Sequence, residues 1–243
     1  MYLLNKYNLL FFMTLFYFHS NSQNYEIEYK FSIVDSKDEY GITGFSISKL
    51  ITNNNESLTY GKNIDTIVVF KGEKEPFIQE ASKYIVSQYK NFITGKRYTA
   101  TLFPKYHLKD ENYSIEWKLG DEFKIILGYS CQVAYGNYRG RDYQAYFAHQ
   151  IPIQSGPHTF DGLPGLVLEV YSMDNVINFK AIQVKKTDEK IFNPFDEENK
   201  QYISWEQFII AYKSYFNKMI NYKPEEDIVF VVPNRSIEIY FKQ

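Results

Sequence analysis

The chain has 243 residues, a formal net charge of −2 at pH 7 and one cysteine, Cys131. The balanced charge and the lack of a basic tract exclude the electrostatic footprint of a nucleic-acid-binding protein. A single cysteine excludes an internal disulfide, so the fold depends on packing alone. Aromatic residues make up 19% of the chain, with 23 Tyr and 20 Phe, and this composition favours β-strands.

Residues 1–22 have the pattern of a secretory signal peptide. A short positive start precedes an apolar run from Tyr7 to Phe18, and Ser20 and Ser22 are the small residues of a cleavage site. The run is too short to span a bilayer, which takes about 20 apolar residues. We therefore predict cleavage after Ser22, a mature chain without a transmembrane segment, and a periplasmic or secreted location.

Residues 23–243 predict a single β-rich domain. Tyr25–Ile33 alternates apolar and polar residues without error, which is typical of a half-buried strand. The same period, in weaker form, predicts further strands over residues 45–51, 66–70, 98–103, 113–119, 123–127, 132–135, 143–151, 167–170, 176–184 and 237–241. Gly120-Asp121 predicts a hairpin turn and residues 173–175 a second turn. The succession predicts a large antiparallel, twisted sheet, either open or a half barrel.

Two segments carry helical spacing instead. In residues 76–93, apolar side chains recur at intervals of three and four after Pro76, and Gly95 is a plausible stop. In residues 204–221, Ser204 predicts an N-cap and Gln207 completes a capping box. The predicted fold class is therefore mainly β, of the α+β type, with two helices packed on the sheet.

The segment "GPHTFDGLPGLVLEV", residues 156–170, places two rigid bends ahead of an apolar run. Pro157 keeps Gly156 away from helical angles and predicts a sharp change of chain direction. Pro164-Gly165 has the type II turn pattern, which predicts a positive φ at Gly165. The run that follows predicts a central strand rather than an edge strand.

The same segment resembles the signature of the GLPGLI family, exported proteins of Bacteroidota. The similarity extends over residues 117–175, although Val167 replaces the isoleucine of the hexapeptide and Tyr146-Phe147 replaces a common Trp-Tyr pair. The positions that match the family or hold its loop are Trp117, Cys131, Gly140, Gly156, Pro157, Gly162, Leu163, Pro164, Gly165 and Leu166. The resemblance implies export and a shared β-rich domain, and it implies no reaction.

Polar and aromatic residues within this block are the candidates for ligand binding. They are Arg141, Tyr143, Tyr146, His149 and His158. The Arg141 guanidinium suits a ligand carboxylate or phosphate, or it holds the loop through an internal pair with Asp161 or Glu169. The tyrosines suit either a stacking platform for sugars or peptides, or core packing.

The sequence contains only scattered candidates for catalytic and metal sites. Cys131 with His149 or His158 is a conceivable thiol and base, but a lone cysteine among apolar residues is more often a buried hydrophobe. His149, His158 and Asp161 are scattered metal ligands, with a solvated loop as the simpler interpretation of both histidines. The sequence has none of the standard nucleophile, zinc, phosphate-loop or calcium motifs. We predict no catalytic residue, metal or cofactor.

The sequence leaves three functions open. We expect a non-enzymatic module that binds a ligand or protein partner of the cell envelope. The alternatives are an envelope hydrolase with a site near Cys131, Arg141 and His149, and a structural component of a surface complex. A polar cleft that joins Cys131 to an imidazole would favour the hydrolase, and a broad exposed Tyr and Phe patch would favour the surface complex.

Overall fold

The computed structural model describes residues 23–34, 43–63, 67–68, 77–78, 85–101, 105–111, 113–195 and 200–220. Their strands are β1 (Asn24–Val34), β2 (Thr43–Thr52), β3 (Glu56–Asn63), β4 (Ile67–Val68), β5 (Phe77–Ile78), β6 (Ile85–Asn91), β7 (Lys96–Ala100), β8 (His107–Glu111), β9 (Lys118–Ile126), β10 (Tyr129–Tyr138), β11 (Arg141–Ala148), β12 (Leu166–Ser172), β13 (Ile177–Thr187) and β14 (Tyr202–Ile203). The helix α1 spans Trp205–Ile220. The predicted signal peptide and the strand predicted over residues 237–241 lie outside the described residues.

Twelve of the strands form one open sheet in the order β14-β8-β7-β6-β3-β2-β1-β13-β12-β11-β10-β9. Neighbouring strands in this sheet run antiparallel, except that β14 runs parallel to β8. Strands β4 and β5 form a separate antiparallel pair. The prediction of one large sheet is confirmed, and the single parallel pair makes the sheet mixed.

The sheet curves, because elements far apart in its strand order touch each other. Arg139, in the turn between β10 and β11, forms an ion pair with Asp110 of β8. Its guanidinium carbon also lies 3.5 Å from the ring centre of Trp205, the first residue of α1. Nine strand steps of about 4.8 Å separate β8 from β10, which would be roughly 40 Å in a flat sheet. The contact therefore requires strong curvature of the open sheet.

Strand β12 lies in the middle of the main apolar core. Leu166, Val167, Leu168 and Val170 are all 0% exposed, because β11 and β13 flank the strand on both sides. The predicted central strand is therefore confirmed. A smaller apolar cluster of Leu58, Tyr89, Tyr98 and Phe195 covers one face of β3, β6 and β7.

The helix predicted over residues 76–93 is wrong. Its described parts are the strands β5 and β6, and β6 pairs with β3 and β7. Both faces of β6 are buried, with Tyr89 in the apolar cluster and Gln88 and Lys90 on the opposite face. Tyr89 alternates with Gln88 and Lys90 as in a strand, but this alternation is short, and the apolar residues of 76–93 as a whole also recur at helical spacing.

The helix predicted over residues 204–221 is present as α1, and its capping box forms. The Gln207 backbone N–H donates to Ser204 Oγ at 3.3 Å, and the Ser204 N–H donates to Gln207 Oε1 at 2.9 Å. Among the described residues, no helix is both long and apolar enough to cross a bilayer.

The hairpin predicted at Gly120-Asp121 is also wrong. Strand β9 continues through both residues, although its register against β10 shifts opposite Val133, and the chain turns instead at Leu127 and Gly128, which both have positive φ. Gly120 is needed for close packing, since a Cβ there would lie 2.6 Å from Val133 Cγ1.

The sequence pattern did not predict strand β3. The segment Glu56–Asn63 carries polar side chains on a face that is buried in the structure, so it lacks the usual alternation of apolar buried and polar exposed residues.

Candidate functional site

Residues 149–165, which we call the glycine loop, connect β11 to β12 through closely packed backbone. A Cβ on Gly156 would lie 2.1 Å from Phe160 O, and a Cβ on Gly165 would lie 2.4 Å from Ala148 O. Real Cβ atoms do not approach backbone oxygens so closely, so only glycine fits at either position.

The type II turn predicted at Pro164-Gly165 is wrong. Gly165 is not among the residues with positive φ; within the loop these are His158, with φ 48°, and Gly162, with φ 87°. The Gly165 N–H donates to Leu163 O at 2.7 Å, which is a three-residue turn centred on Pro164. The glycine is required by the contact with Ala148 rather than by its own backbone angles.

Asp161 anchors the glycine loop to the sheet. Its Oδ2 accepts from Lys90 Nζ at 2.8 Å, and its Oδ1 accepts from Arg97 Nη2 at 2.8 Å. The backbone oxygen of Asp161 accepts from Trp117 Nε1, also at 2.8 Å. Lys90 is only 1% exposed, and burial lowers its pKa although the charge of Asp161 raises it. Breaking such a buried pair leaves an uncompensated charge and is strongly destabilising.

Arg141 pairs with a different acidic side chain from Asp161 and Glu169, the two that the sequence suggested. Its guanidinium pairs with Asp174, while Asp161 binds Lys90 and Arg97, and Glu169 binds Lys124. Burial alone would raise the pKa of Asp174, but hydrogen bonds from Ser172 and Val176, together with Arg141, lower it. Arg141 is 2% exposed, so its visible role is to tie β11 to the turn after β12.

The predicted ligand-binding tyrosines lie on opposite faces of β11, because side chains alternate along a strand. Tyr143 is 1% exposed and packs on Phe160, with the ring centres 4.5 Å apart. Tyr146 faces the other way, beneath Lys124 Nζ at 3.7 Å, and its hydroxyl accepts from Gln144 at 2.7 Å. The structure therefore does not bring these two side chains into one site.

The two candidate histidines have different surroundings. His149 is exposed, as predicted for a loop residue, and its Nε2 lies 2.8 Å from Gln132 Oε1. His158 is half-buried, so its interpretation as a solvated side chain is wrong. Burial, followed by the charges of Lys90, Arg139 and Arg97, lowers the pKa of His158 from 6.5 to about 3.

The lowered pKa of His158 predicts a loss of stability in acid. Between pH 6.5 and 3 the unfolded chain binds a proton here that the folded chain does not. Each pH unit below 6.5 therefore removes up to about 1.4 kcal/mol of stability. We expect His158→Asn, which tolerates the positive φ, to reduce the difference in unfolding free energy between about pH 7.5 and 4.5. Urea unfolding at both pH values measures this difference, and His149→Asn is the control. Equal losses of unfolding free energy on acidification in the wild type and both variants would contradict the expectation.

Cys131 is an unreactive thiol in this structure. It is 0% exposed, and burial raises its pKa to about 11. Its Sγ lies 3.5 Å from Tyr129 O, whereas the His149 imidazole is bonded to Gln132. No group of three or more His, Cys, Asp or Glu side chains within the described ranges could hold a metal ion.

A groove of about 830 Å³ lies beside the hairpin of β10 and β11. We call it the aromatic groove, and its lining residues are Tyr113, Ser114, Glu116, Trp117, Lys118, Tyr135, Gly136, Asn137, Asp142, Tyr143 and Met173. Trp117 packs against Gly136, where a Cβ would lie 2.8 Å from its ring. The sequence had singled out Trp117 and Tyr143, and it missed the acid Glu116, which no motif marks.

Part of this region of the chain matches a model of a known protein family. A family model described as "Protein of unknown function (Porph_ging)" matches residues 138–169, which include β11, the glycine loop and the start of β12. The match is short. No curated protein matches the chain.

Solved structures show partial likeness to the fold. Two crystal forms of PNGF-II align with TM-scores of 0.47 and 0.48 at 20% and 19% identity; each covers 80% of this chain, and 32% or 34% of PNGF-II. The chain thus spans about a third of the length of PNGF-II. An uncharacterized conserved protein from Thermus thermophilus aligns with a TM-score of 0.36 at 6% identity, covering 76% of this chain and 91% of that protein.

Proposed function

We propose that the chain is an exported, non-enzymatic binding protein of the GLPGLI type, located in the periplasm or outside the cell. The pattern of residues 1–22 supports export, and the motif block over residues 117–175 supports the family. The matching family of unknown function overlaps that block at residues 138–169. The ligand or partner belongs to the cell envelope.

The aromatic groove is the observation that carries this proposal. It combines the rings of Trp117 and Tyr135 with the carboxylates of Glu116 and Asp142. Asn137 Nδ2 donates to Asp142 Oδ1 at 2.7 Å and orients that carboxylate. Flat rings stack on the apolar faces of sugars, while carboxylates and amides bind hydroxyl groups. A pocket with a few converging polar groups among aromatic side chains is the usual form of a small-ligand site. We therefore propose a carbohydrate or another polyhydroxyl ligand.

The surroundings of Cys131 favour binding over hydrolysis. A nucleophilic thiol requires a lowered pKa and a base within hydrogen-bond reach. The pKa of Cys131 is instead raised to about 11 by burial, and His149 contacts Gln132. The hydrolase with a site at Cys131, Arg141 and His149 is therefore the weaker alternative.

Tryptophan fluorescence tests the aromatic groove directly, because Trp117 and Trp205 are the only tryptophans in the sequence. In Trp205→Phe, emission reports on Trp117 alone. We expect a panel of oligosaccharides to contain a member that quenches this emission saturably. We also expect Tyr135→Ala to weaken its binding by about tenfold or more, since the stacking ring is lost.

The matched control is Tyr215→Ala, since Tyr135 and Tyr215 are both 36% exposed and Tyr215 lies on α1. Equal weakening by both variants would contradict the proposed site, as would the failure of every sugar to bind to the groove.

A second function, the surface complex, is favoured by the edge strand β9. Its Leu119, Phe123 and Ile125 are 52%, 59% and 70% exposed, and Leu127 in the turn that follows is 47% exposed. An exposed, apolar edge strand pairs readily with a strand of another chain. The patch is mostly aliphatic rather than the Tyr and Phe surface that the sequence suggested.

Self-association through β9 is tested by Ile125→Lys, because a lysine on an edge strand opposes strand pairing. We expect the variant to shift the assembly equilibrium towards the monomer in sedimentation velocity. Ile210→Lys on α1 is the control, as Ile210 is 71% exposed. A wild-type protein that stays monomeric up to millimolar concentration would contradict self-association.

A further inference from the structure

The face of β3, β6 and β7 beneath the glycine loop is polar and buried. Its side chains, which we call the polar layer, are Ser57, Thr59, Gln88, Lys90, Arg97 and Thr99. Ser57 lies opposite Lys90 and Thr59 opposite Gln88 across β3 and β6, while Lys90 lies opposite Arg97 across β6 and β7. Cross-strand neighbours have Cβ atoms about 5 Å apart, so these side chains form one compact surface.

Several atoms of this surface have no partner among the described residues. Ser57 Oγ, Thr59 Oγ1 and Gln88 Oε1 are buried without a hydrogen bond in the described part of the chain, and so is Nδ1 of His158 in the loop above. Ser57 is 0% exposed, and Thr59 and Gln88 are each 4% exposed. A buried polar group without a partner costs about 1–3 kcal/mol. The grouping of these atoms around one place indicates that something else completes their hydrogen bonds.

The charges at this place favour an anion. Lys90 and Arg97 share the carboxylate of Asp161, so these three described side chains together carry one net positive charge. The Lys90 and Asp161 side chains are only 1% and 7% exposed. The groups around it are also suitable donors: two hydroxyls, the neutral imidazole, and the Gln88 amide. That amide can present its NH₂ end if the Thr99 hydroxyl donates to its oxygen, since the two ends are interchangeable in a hydrogen-bond network.

We infer that the polar layer is a binding site for a small oxyanion of the sulfate, phosphate or carboxylate class, held by Ser57, Thr59, Gln88 and His158 with Lys90 and Arg97 supplying the charge. Burial lowers the pKa of Lys90. A bound anion would favour the charged amine and satisfy the free donors at once. The site shares no lining residue with the aromatic groove and does not depend on the proposed carbohydrate ligand.

The probes are inorganic sulfate and inorganic phosphate, each compared with sodium chloride at equal ionic strength. We expect at least one of them to raise the Tm of the purified protein saturably and to give a measurable heat of binding in titration calorimetry. Thr59→Val removes one free hydroxyl with little change of shape, and Ser57→Ala removes the other. We expect each to weaken anion binding by about tenfold or more without lowering the Tm in chloride, because a hydrogen bond to a charged group is lost.

Thr187→Val, at the far end of β13, is the control for general effects of salt on stability. An anion effect that is equal in the wild type and in all three variants would overturn the site. An absence of any heat or saturable Tm shift would also overturn it and would assign the free polar atoms to buried water alone.

Discussion

Gly165→Ala is expected to lower the free energy of unfolding by about 3 kcal/mol, the upper part of the range for an overpacked buried site. The added Cβ would lie 2.4 Å from Ala148 O and 2.7 Å from Ala148 C. Both are backbone atoms in a strand that is paired on each side, so neither can move without disturbing the sheet. Urea unfolding of the two proteins measures the difference.

Gly61→Ala is the matched control for this change. Gly61 lies in β3, and the nearest atom to an added Cβ would be Ser87 Cβ at an ordinary 4.0 Å. We expect this variant to unfold within about 1 kcal/mol of the wild type, since glycine is itself unfavourable inside a strand. If the two alanine variants unfold alike, the close contact between the glycine loop and β11 is wrong.

Asp161→Asn is expected to cost about 3–5 kcal/mol of stability, the usual result of breaking a buried ion pair. The substitution keeps the shape of the side chain but leaves Lys90 and Arg97 without the carboxylate that accepts from both. Lys90→Met in the Asp161→Asn background should recover part of the loss, because it removes the most deeply buried charge.

The exposed pair of Lys49 and Glu189 provides the comparison. Their side chains are 21% and 39% exposed with a separation of 3.0 Å, and such pairs contribute about 1 kcal/mol or less. Glu189→Gln should therefore have a small effect. A loss below about 1 kcal/mol for Asp161→Asn, equal to that of the surface pair, would show that Asp161 does not anchor the loop.

The sequence correctly predicted strands and helices that have one exposed face. Alternation identified β1, and the capping box at Ser204 identified the start of α1, because both signals are local. It failed at β6, where Tyr89 packs in an apolar cluster on one face while Lys90 on the other meets Asp161, 71 positions along the chain. A partner that distant leaves no trace in the local period.

The candidate site was predicted in part for the same reason. The glycines and prolines of residues 156–165 correctly indicated a sharply bent loop before a central strand, since their restrictions are local. The acid that pairs with Arg141 could not be read from spacing, because Asp174 reaches it only through the pairing of β11 with β12. The burial of His158 and the grouping of acids around Trp117 likewise depend on tertiary packing.

Native-state hydrogen exchange at the start of β12 tests most directly whether the glycine loop builds the sheet. The Leu166 N–H donates to Ile151 O and the Val167 N–H to Ser155 O, each at 2.9 Å, so both bonds join the loop to the strand. If the loop is a fixed part of the core, these two amides exchange only through global unfolding. Exchange through a local opening far below the global free energy, with the rest of the sheet still protected, would contradict this role.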